Sequence, residues 1–453
     1  MYENIKTKKG EILRDLGDGL ILRQATKADT QALSTFNANI HGNPERNEPD
    51  ERVGVWTQDL MERPHPTFDV GDFTIVEDTR TGAIVSTLNL ISQTWSYAGI
   101  PFGVGRPELV GTDPEYRNRG LVRAQFEVIH RWSAERGHKM QAITGIPFYY
   151  RLFGYEMALS LGGGRVGYKP QVPKLKDGEK EPYRLRPALQ ADIPFISELY
   201  RRACKRYLVN CVWDDELWRY ELNGKSSQNV DRMELRLIEN ASGKAIGYLA
   251  HPALIWGDML AAVAYEVSPD ASMADVTPSV VRYLYATGKT YAAAQDKSDE
   301  FAAFGFWMGQ EHPVYQVLHD GLPRLREPYA WYVRIPDLPD FLRHIAAVLE
   351  KRLAGSIAAG HTGELKLTFY RTGLRLVFER GKLVGVEEWE PAPQGHSGDA
   401  AFPNLTFLQL LLGYRSLEEL EYAYADCWHE NDQVFALLNT LFPKQNSDIW
   451  PVS

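Results

Sequence analysis

The sequence predicts an α/β chain in which one fold occurs twice and a different α+β unit follows. Three observations lead there. First, residues 20–33 read LILRQATKADTQAL and residues 183–196 read YRLRPALQADIPFI. Each gives a short strand, then Arg-x-Ala, then an Asp (Asp29, Asp192) placed to N-cap an apolar-periodic helix. Second, two further landmarks recur in the same order: a strand ending in proline, LVGTDP at Pro114 and AYEVSP at Pro269, and a glycine between aromatic residues, Phe153-Gly154-Tyr155 and Phe304-Gly305-Phe306. The intervals from Arg23 are 91 and then 40 residues in the first copy; from Arg186 they are 83 and then 36 in the second. Self-similarity at such spacing marks a repeated structural unit. Third, the Pro/Lys/Gly-rich stretch KPQVPKLKDGEKEP at 169–182 reads as a linker, so the expected units are 1–168, 183–334 and 335–453.

Within the first copy, FTIVE and IVSTLNLI form a hairpin across the turn Asp78–Gly82. A strand over Glu108–Thr112 then leads into DPEYRNRGLVRAQFEVIHRWSAERG. The helix after Gly120 carries apolar residues at Val122, Phe126 and Ile129 and ends near Gly137. A short strand, HKMQAIT, and the segment PFYYRLFGYE follow. The third unit opens with an amphipathic helix over Pro339–Leu353, with Leu342, Ile345, Leu349 and Leu353 on one side. ELKLTF, LRLVFE and LVGVEEW read as antiparallel strands, with Arg380-Gly381-Lys382 as a turn, and helices are expected around Asn404–Leu412 and Gln433–Phe442. The last residues, PKQNSDIWPVS, are expected to run free.

Composition narrows the class. With 453 residues, 44% apolar and 24% charged, the chain has the make-up of a multi-domain globular protein. Three cysteines (Cys204, Cys211, Cys427) without a CxxC or partnered histidine spacing argue for reduced thiols and against a metal site or a disulfide framework. The N-terminal residues have no apolar stretch behind their lysines, and no window is long enough to span a bilayer, so a cytoplasmic protein without membrane partners is expected. The net charge of -9 and the lack of a Lys/Arg-rich run speak against nucleic acid and suit a cationic small molecule.

The chemistry concentrates where the strand at Glu108–Thr112 enters a helix through an Arg/Gly loop. The free N–H groups and positive dipole end of a helix N-terminus suit an anion. Gly120 permits close approach of the backbone, while Arg117 and Arg119 add charge. A pyrophosphate is the natural guest. Tyr150, four residues before Gly154, supplies a hydroxyl nearby; Tyr149 is one residue too far from that glycine.

The loop YRNRGLVR, followed by Tyr150-Arg151-Leu152-Phe153-Gly154-Tyr155, resembles the GNAT superfamily of N-acetyltransferases. The order of an active copy, a degenerate copy and a C-terminal segment FPNLTFLQLLLGYRSLEEL resembles the Eis (enhanced intracellular survival) family, with tandem GNAT folds and a sterol-carrier-protein-like α+β domain. Where that superfamily's usual loop is Gln/Arg-x-x-Gly-x-Gly/Ala, this sequence has Val122 in place of the last small residue. The resemblance implies transfer of an acetyl group from acetyl-CoA, as co-substrate and without a metal, to an amine of a small cationic acceptor of aminoglycoside or polyamine type. It implies that Val110, Gly111 and Thr112 flank the thioester and pantetheine, and that Arg117, Asn118, Arg119, Gly120, Leu121 and Val122 wrap the pyrophosphate. It makes Tyr150 the general acid and implies a homo-oligomer. For the base it offers the terminal carboxylate, here at Ser453, although relatives tend to end in an aromatic residue; Glu108 and His41 are the alternatives.

In the second copy DASMADVTPSVVRYL lacks Arg-x-x-Gly, and aligning the two aromatic-Gly-aromatic motifs puts Phe301 at the Tyr150 position, so this copy is expected to be silent. Its tryptophans, Trp213, Trp218, Trp256 and Trp307, read as core or interface residues. Two other functions compete: a non-catalytic acyl-CoA or lipid carrier, from the C-terminal unit, and a tandem-GNAT aminoacyl transferase, against which the Arg/Gly loop and the missing basic face speak.

Overall fold

The computed structural model describes residues 6–7, 10–43, 45–46, 48–392 and 397–453. Residues 1–5, 8 and 9 of the N-terminal segment read as lacking a leader lie outside them. The chain begins β1 (Lys6–Thr7), β2 (Gly10–Gly17), β3 (Leu20–Gln24), α1 (Thr30–His41), α2 (Glu51–Glu62), β4 (Phe73–Asp78), β5 (Ala83–Tyr97), β6 (Ile100–Thr112), α3 (Leu121–Glu135), β7 (Met140–Ile143), β8 (Glu156–Leu161) and β9 (Gly164–Tyr168). It continues with β10 (Tyr183–Pro187), α4 (Ile193–Cys204), β11 (Val209–Cys211), α5 (Asp215–Asn223), β12 (Met233–Asn240), β13 (Ala245–Pro252), β14 (Met259–Ala262), β15 (Ala264–Val267), α6 (Met273–Ala294), β16 (Ala303–Phe306), α7 (Val314–Val317), β17 (Arg324–Arg326) and β18 (Tyr329–Arg334). The last part holds α8 (Leu338–His344), α9 (Ala346–Ala354), β19 (Gly363–Thr368), β20 (Gly373–Glu379), β21 (Lys382–Trp389), β22 (Ala400–Ala401), α10 (Phe407–Leu411), α11 (Leu417–Ala423), β23 (Trp428–His429) and α12 (Asp432–Leu441). The fold is α/β, with two related units and a C-terminal α+β unit.

The repeat is visible in side chains as well as in topology. Arg23 is 1% exposed and binds Asp29 at 2.7 Å and Glu77 at 2.8 Å. Arg186 repeats the arrangement, with Asp192 at 2.6 Å and Glu239 at 2.7 Å. Each arginine ties its own strand, β3 or β10, to the neighbouring strand and to the entry of the first helix of its copy. Asp29 and Asp192 were expected as N-caps of those helices. Instead their carboxylates accept from the arginine and from the backbone N–H three residues earlier, on Thr26 and Leu189. A buried charge is held in place only by such pairing, and removing one partner of a buried pair typically costs about 3–5 kcal/mol.

The two copies exchange their last strands. In the first sheet the order runs β1-β2-β3-β4-β5-β6-β7-β18-β8, so β18 inserts between β7 and β8. In the second copy a half-sheet of order β14-β16-β9-β17 takes β9 in the equivalent place. The expected unit bounds, 1–168 and 183–334, therefore do not coincide with the hydrogen-bonded sheets. The half-sheets correspond as β6/β7 and β14/β16, each pair parallel.

This correspondence corrects one landmark of the repeat. Phe304-Gly305-Phe306 lies within β16, the counterpart of β7, whereas Phe153-Gly154-Tyr155 follows that position, at the end of a 3-10 turn over Tyr149–Phe153. α6 has 22 residues against 15 in α3, so an equal interval after the proline falls earlier in the fold. Anchored on the strands, the turn that carries Tyr150 after β7 corresponds to the segment around α7 after β16, so Phe301, which precedes β16, does not stand for Tyr150.

The C-terminal unit packs onto both copies through one continuous core that includes Trp95, Trp331, Phe341, Leu376, Phe407 and Leu438. The helix expected over Pro339–Leu353 is broken at Ile345 (φ -94, ψ 8) into α8 and α9, yet Leu342, Ile345, Leu349 and Leu353 all remain fully buried. Cys204, Cys211 and Cys427 are free thiols.

The tail does not run free. Gln445 N donates to Gly413 O at 3.1 Å, Leu208 N donates to Asn446 O at 2.8 Å and Asp448 N to Val209 O at 3.0 Å, so the tail lies along β11. Trp450 then enters an aromatic cluster, 4.9 Å from the Trp213 ring, 5.7 Å from Trp218 and 6.3 Å from Tyr200, and its carbonyl accepts from Trp213 Nε1 at 3.0 Å. Aromatic pairs of this kind add about 0.5–1.5 kcal/mol each to their burial.

Two predictions follow from these contacts. A Cβ at Gly164, where φ is +148°, would sit 2.0 Å from the Phe306 carbonyl oxygen across the exchanged pair. Gly164→Val is expected to lower stability by roughly 2–4 kcal/mol, read as a fall in melting temperature; an unchanged melting temperature would contradict the pairing of β9 with β16. Trp450→Ala is expected to loosen the tail, so that carboxypeptidase trims it at least about tenfold faster than the parent, a factor equivalent to about 1.4 kcal/mol. Equal trimming of parent and variant would show that the cluster does not hold it.

Candidate active site

The site begins with a fault in the pairing of β5 and β6. Their register slips between Thr87 and Asn89, opposite a β6 residue in left-handed conformation, Leu109 (φ 51°). A bulge bends its strand and interrupts the ladder. On the other side, β6 pairs with β7 only at Val104↔Met140 and Gly105↔Gln141. Beyond those two pairs the strands part. The wedge between them opens into a cavity of about 820 Å³, whose walls include Glu108, Val110, Gly111, Thr112, the stretch from Arg117 to Val122, Tyr149 and Tyr150.

One rim of this cavity is the start of α3. Asn118 (φ 63°) and Gly120 (φ 76°) turn the chain through left-handed conformations, a shape for which glycine and asparagine carry the least penalty. Gly120 is the N-cap residue and offers no side-chain cap, so the first-turn N–H groups remain available toward the cavity. Among the described residues no protein acceptor meets the Arg117 side chain, while Arg119 rests over the Tyr116 ring at 4.8 Å and donates to Glu115 O at 3.3 Å. In the second copy the counterpart is closed off: Ser272 caps α6 by accepting from Asp275 N, and Asp270 pairs with Lys244 at 2.5 Å.

The opposite rim carries Tyr150. Its ring is 6% exposed and packs edge-on to Tyr149, Phe126 and Tyr332, with centroids 5.3, 6.0 and 5.4 Å away. Burial raises its hydroxyl pKa well above that of a free tyrosine, and the negative charge of Glu108 adds to the shift, so the group stays protonated. The loop leading to Tyr150 is held by the exchanged strand. Tyr332 Oη accepts from Phe148 N at 2.5 Å and donates to Ile146 O at 3.4 Å, and Tyr329 Oη donates to Gly145 O at 3.1 Å. Phe148 itself is in a strained conformation (φ 70°).

Glu108 sits at the inner end of the wedge with its side chain 13% exposed and paired with Arg106 at 2.6 Å. Burial raises its carboxyl pKa; Arg106 opposes the shift, and Asp231 from the second copy adds to it. Arg106 also reaches the tail: Nη1 donates to Val452 O at 3.1 Å and to Ser453 Oγ at 2.7 Å. Gln93 Nε2 donates to Val452 O at 2.6 Å, and Tyr220 Oη, from α5 of the second copy, donates to Ser453 O at 3.3 Å. Ser453 is 4% exposed. It lies behind Glu108, joined to it through Arg106, and is not part of the cavity wall. His41 is on the cavity's rim at the end of α1.

The structure thus brings Tyr150, Glu108 and the residues 110–112 and 117–122 to one cavity, and sets Ser453 one residue back from it. Sequence reasoning missed Arg106, Gln93, Tyr220 and the tyrosine pair Tyr329 and Tyr332. A signal existed for Arg106, two positions before Glu108 on one strand and so on the same face. None existed for the others, because they arrive from β5, from α5 and from the exchanged strand.

Comparison with known proteins agrees with this geometry. Residues 22–158 match the family model described as an acetyltransferase (GNAT) domain. No curated protein sequence matches the chain. Solved structures share its fold over nearly the whole length. A probable N-acyltransferase of unknown function from Enterococcus faecalis is 15% identical, with a TM-score of 0.62, over 96% of this chain and 100% of that one. A GCN5-related N-acetyltransferase from Kribbella flavida is 18% identical, with a TM-score of 0.58, over 95% and 97%. Eis1 from Mycobacterium abscessus is 13% identical, with a TM-score of 0.53, over 96% and 99%. Residues 22–158 of this chain thus match a GNAT acetyltransferase domain, within a fold shared over nearly the full length with those three proteins.

Proposed function

We propose that the first copy transfers an acetyl group from acetyl-CoA to an amine of a small cationic acceptor. One observation carries the reading: the uncapped start of α3, the unpaired Arg117 and the buried, protonated Tyr150 face the same 820 Å³ cavity. First-turn N–H groups and Arg117 suit the diphosphate, and the parted edge of β6 at Val110–Thr112 suits the pantetheine and thioester. As the amine nitrogen bonds to the acetyl carbon, the carbon–sulfur bond breaks and the departing thiolate takes the Tyr150 proton. The amine's proton passes to a carboxylate, directly or through water. Glu108 is the base favoured by its place in the cavity wall, and its raised pKa brings it nearer the acceptor's. A second reading gives this role to a carboxylate at Ser453, favoured by the donors Arg106 and Tyr220 that converge on that residue. Glu108 in the cavity wall, with the charge of Asp231 acting on it from the second copy, favours a cationic acceptor. The second copy serves as a scaffold, and the C-terminal unit is of sterol-carrier-like type.

Release of free thiol from acetyl-CoA on adding an amine panel tests the function; thiol release with no amine in the panel would refute it. Arg117→Ala is expected to weaken acetyl-CoA binding by roughly 1.5–3 kcal/mol without loss of fold; equal calorimetric affinities would put the diphosphate elsewhere. Tyr150→Phe is expected to lower kcat about 10²-fold or more with little change in KM for acetyl-CoA. Full turnover in Tyr150→Phe together with loss in Tyr149→Phe would give the acid role to Tyr149.

A further inference from the structure

Away from the first copy's cavity, two arginines face a cleft without a hydrogen-bond acceptor among the described residues. The cleft consists of two contiguous cavities, of about 430 and 630 Å³, that share Gln310, Lys444, Gln445 and Asn446. Arg165, on the exchanged strand β9, lines the larger one with its guanidinium 5.4 Å from the Tyr315 ring. Its Nε is buried without a partner, and none of its N–H groups meets a protein acceptor among the described residues. Arg415 lines the smaller one over the Tyr414 ring at 5.8 Å; its charge acts on Glu419 in the same wall, but among the described residues it makes no hydrogen bond or close ion pair with a carboxylate.

The other charges in the cleft are largely accounted for. Lys444 pairs with Glu419 at 2.5 Å, and Arg206 pairs with Glu266. Glu311 also lines the larger cavity. Cations therefore outnumber anions along the cleft, in a chain whose net charge is -9. A guanidinium has five donors in a planar fork suited to carboxylate and phosphate oxygens, and a buried donor left unmet is costly. Side-chain amides of Gln316, Gln445 and Asn446 add uncharged donors beside it.

We propose that this cleft is a binding site for a small dianionic molecule, a dicarboxylate or a phosphate, held between Arg165 and Arg415. Lys444, Gln445 and Asn446, which with Gln310 form its shared wall, belong to the tail that ends beneath Arg106, so a bound dianion also braces the tail.

The test is calorimetric titration of the full chain with succinate and, separately, inorganic phosphate, against sodium chloride at matched ionic strength. The two probes distinguish a carboxylate from a phosphate ligand. At least one is expected to bind, with Arg165→Gln and Arg415→Ala each weakening it about tenfold or more. No heat beyond the chloride control overturns the proposal. So does affinity that ignores either arginine, or that falls only in Arg117→Ala.

Discussion

The structure depends on the exchange of β9 and β18 between the two copies. β18 completes the first sheet between β7 and β8, and its tyrosines Tyr329 and Tyr332 bond to Gly145, Ile146 and Phe148. Those three residues form the loop that delivers Tyr150. A loop held at a strained Phe148 persists only when its surroundings over-determine it, and here the surroundings come from the far end of the second copy. The first copy's cavity is thus not complete without the second, even though the second has lost the features that would make it a site. Conversely β9 closes the second copy's half-sheet and carries Arg165 into the cleft beside the tail. Neither unit can be cut out along the sequence without opening the other's sheet.

The contrast between the two helix starts shows how one fold gives two outcomes. Gly120 leaves α3 uncapped, with Arg117 and Arg119 in the loop before it; Ser272 caps α6, with Asp270 before it and Asp275 in the first turn. A few substitutions decide whether the positive end of a helix dipole meets an anion or is satisfied within the chain. The second copy then serves the first through packing: Tyr220 and the Trp213–Trp218 cluster seat the tail, and Asp231 adds negative charge near Glu108.

Much of this was legible in the sequence because it is local. The strand–loop–helix around Arg117–Val122, the tyrosine turn before Gly154 and the Arg23/Asp29 and Arg186/Asp192 repeat each rest on residues a few positions apart. What was not legible is long-range. The tail, expected to run free, docks because Trp450 finds rings 232 to 250 positions earlier. The exchange of β9 and β18 leaves no mark in hydrophobic period, since a strand pairs equally well with either sheet. The mistaken match of Phe304-Gly305-Phe306 to Phe153-Gly154-Tyr155 came from equal spacing, which the longer α6 made misleading. Ser453 came from the family resemblance; Arg106, the residue that connects it to Glu108, had to be seen.

The proposed function has one copy of the repeat hold acetyl-CoA and the other not. Its most direct test is the stoichiometry of acetyl-CoA binding to the full chain by calorimetry. The uncapped α3 and the capped α6 predict one molecule per chain. Two per chain would mean that the second copy keeps a working cleft, and none would mean that the cavity between β6 and β7 does not take this ligand.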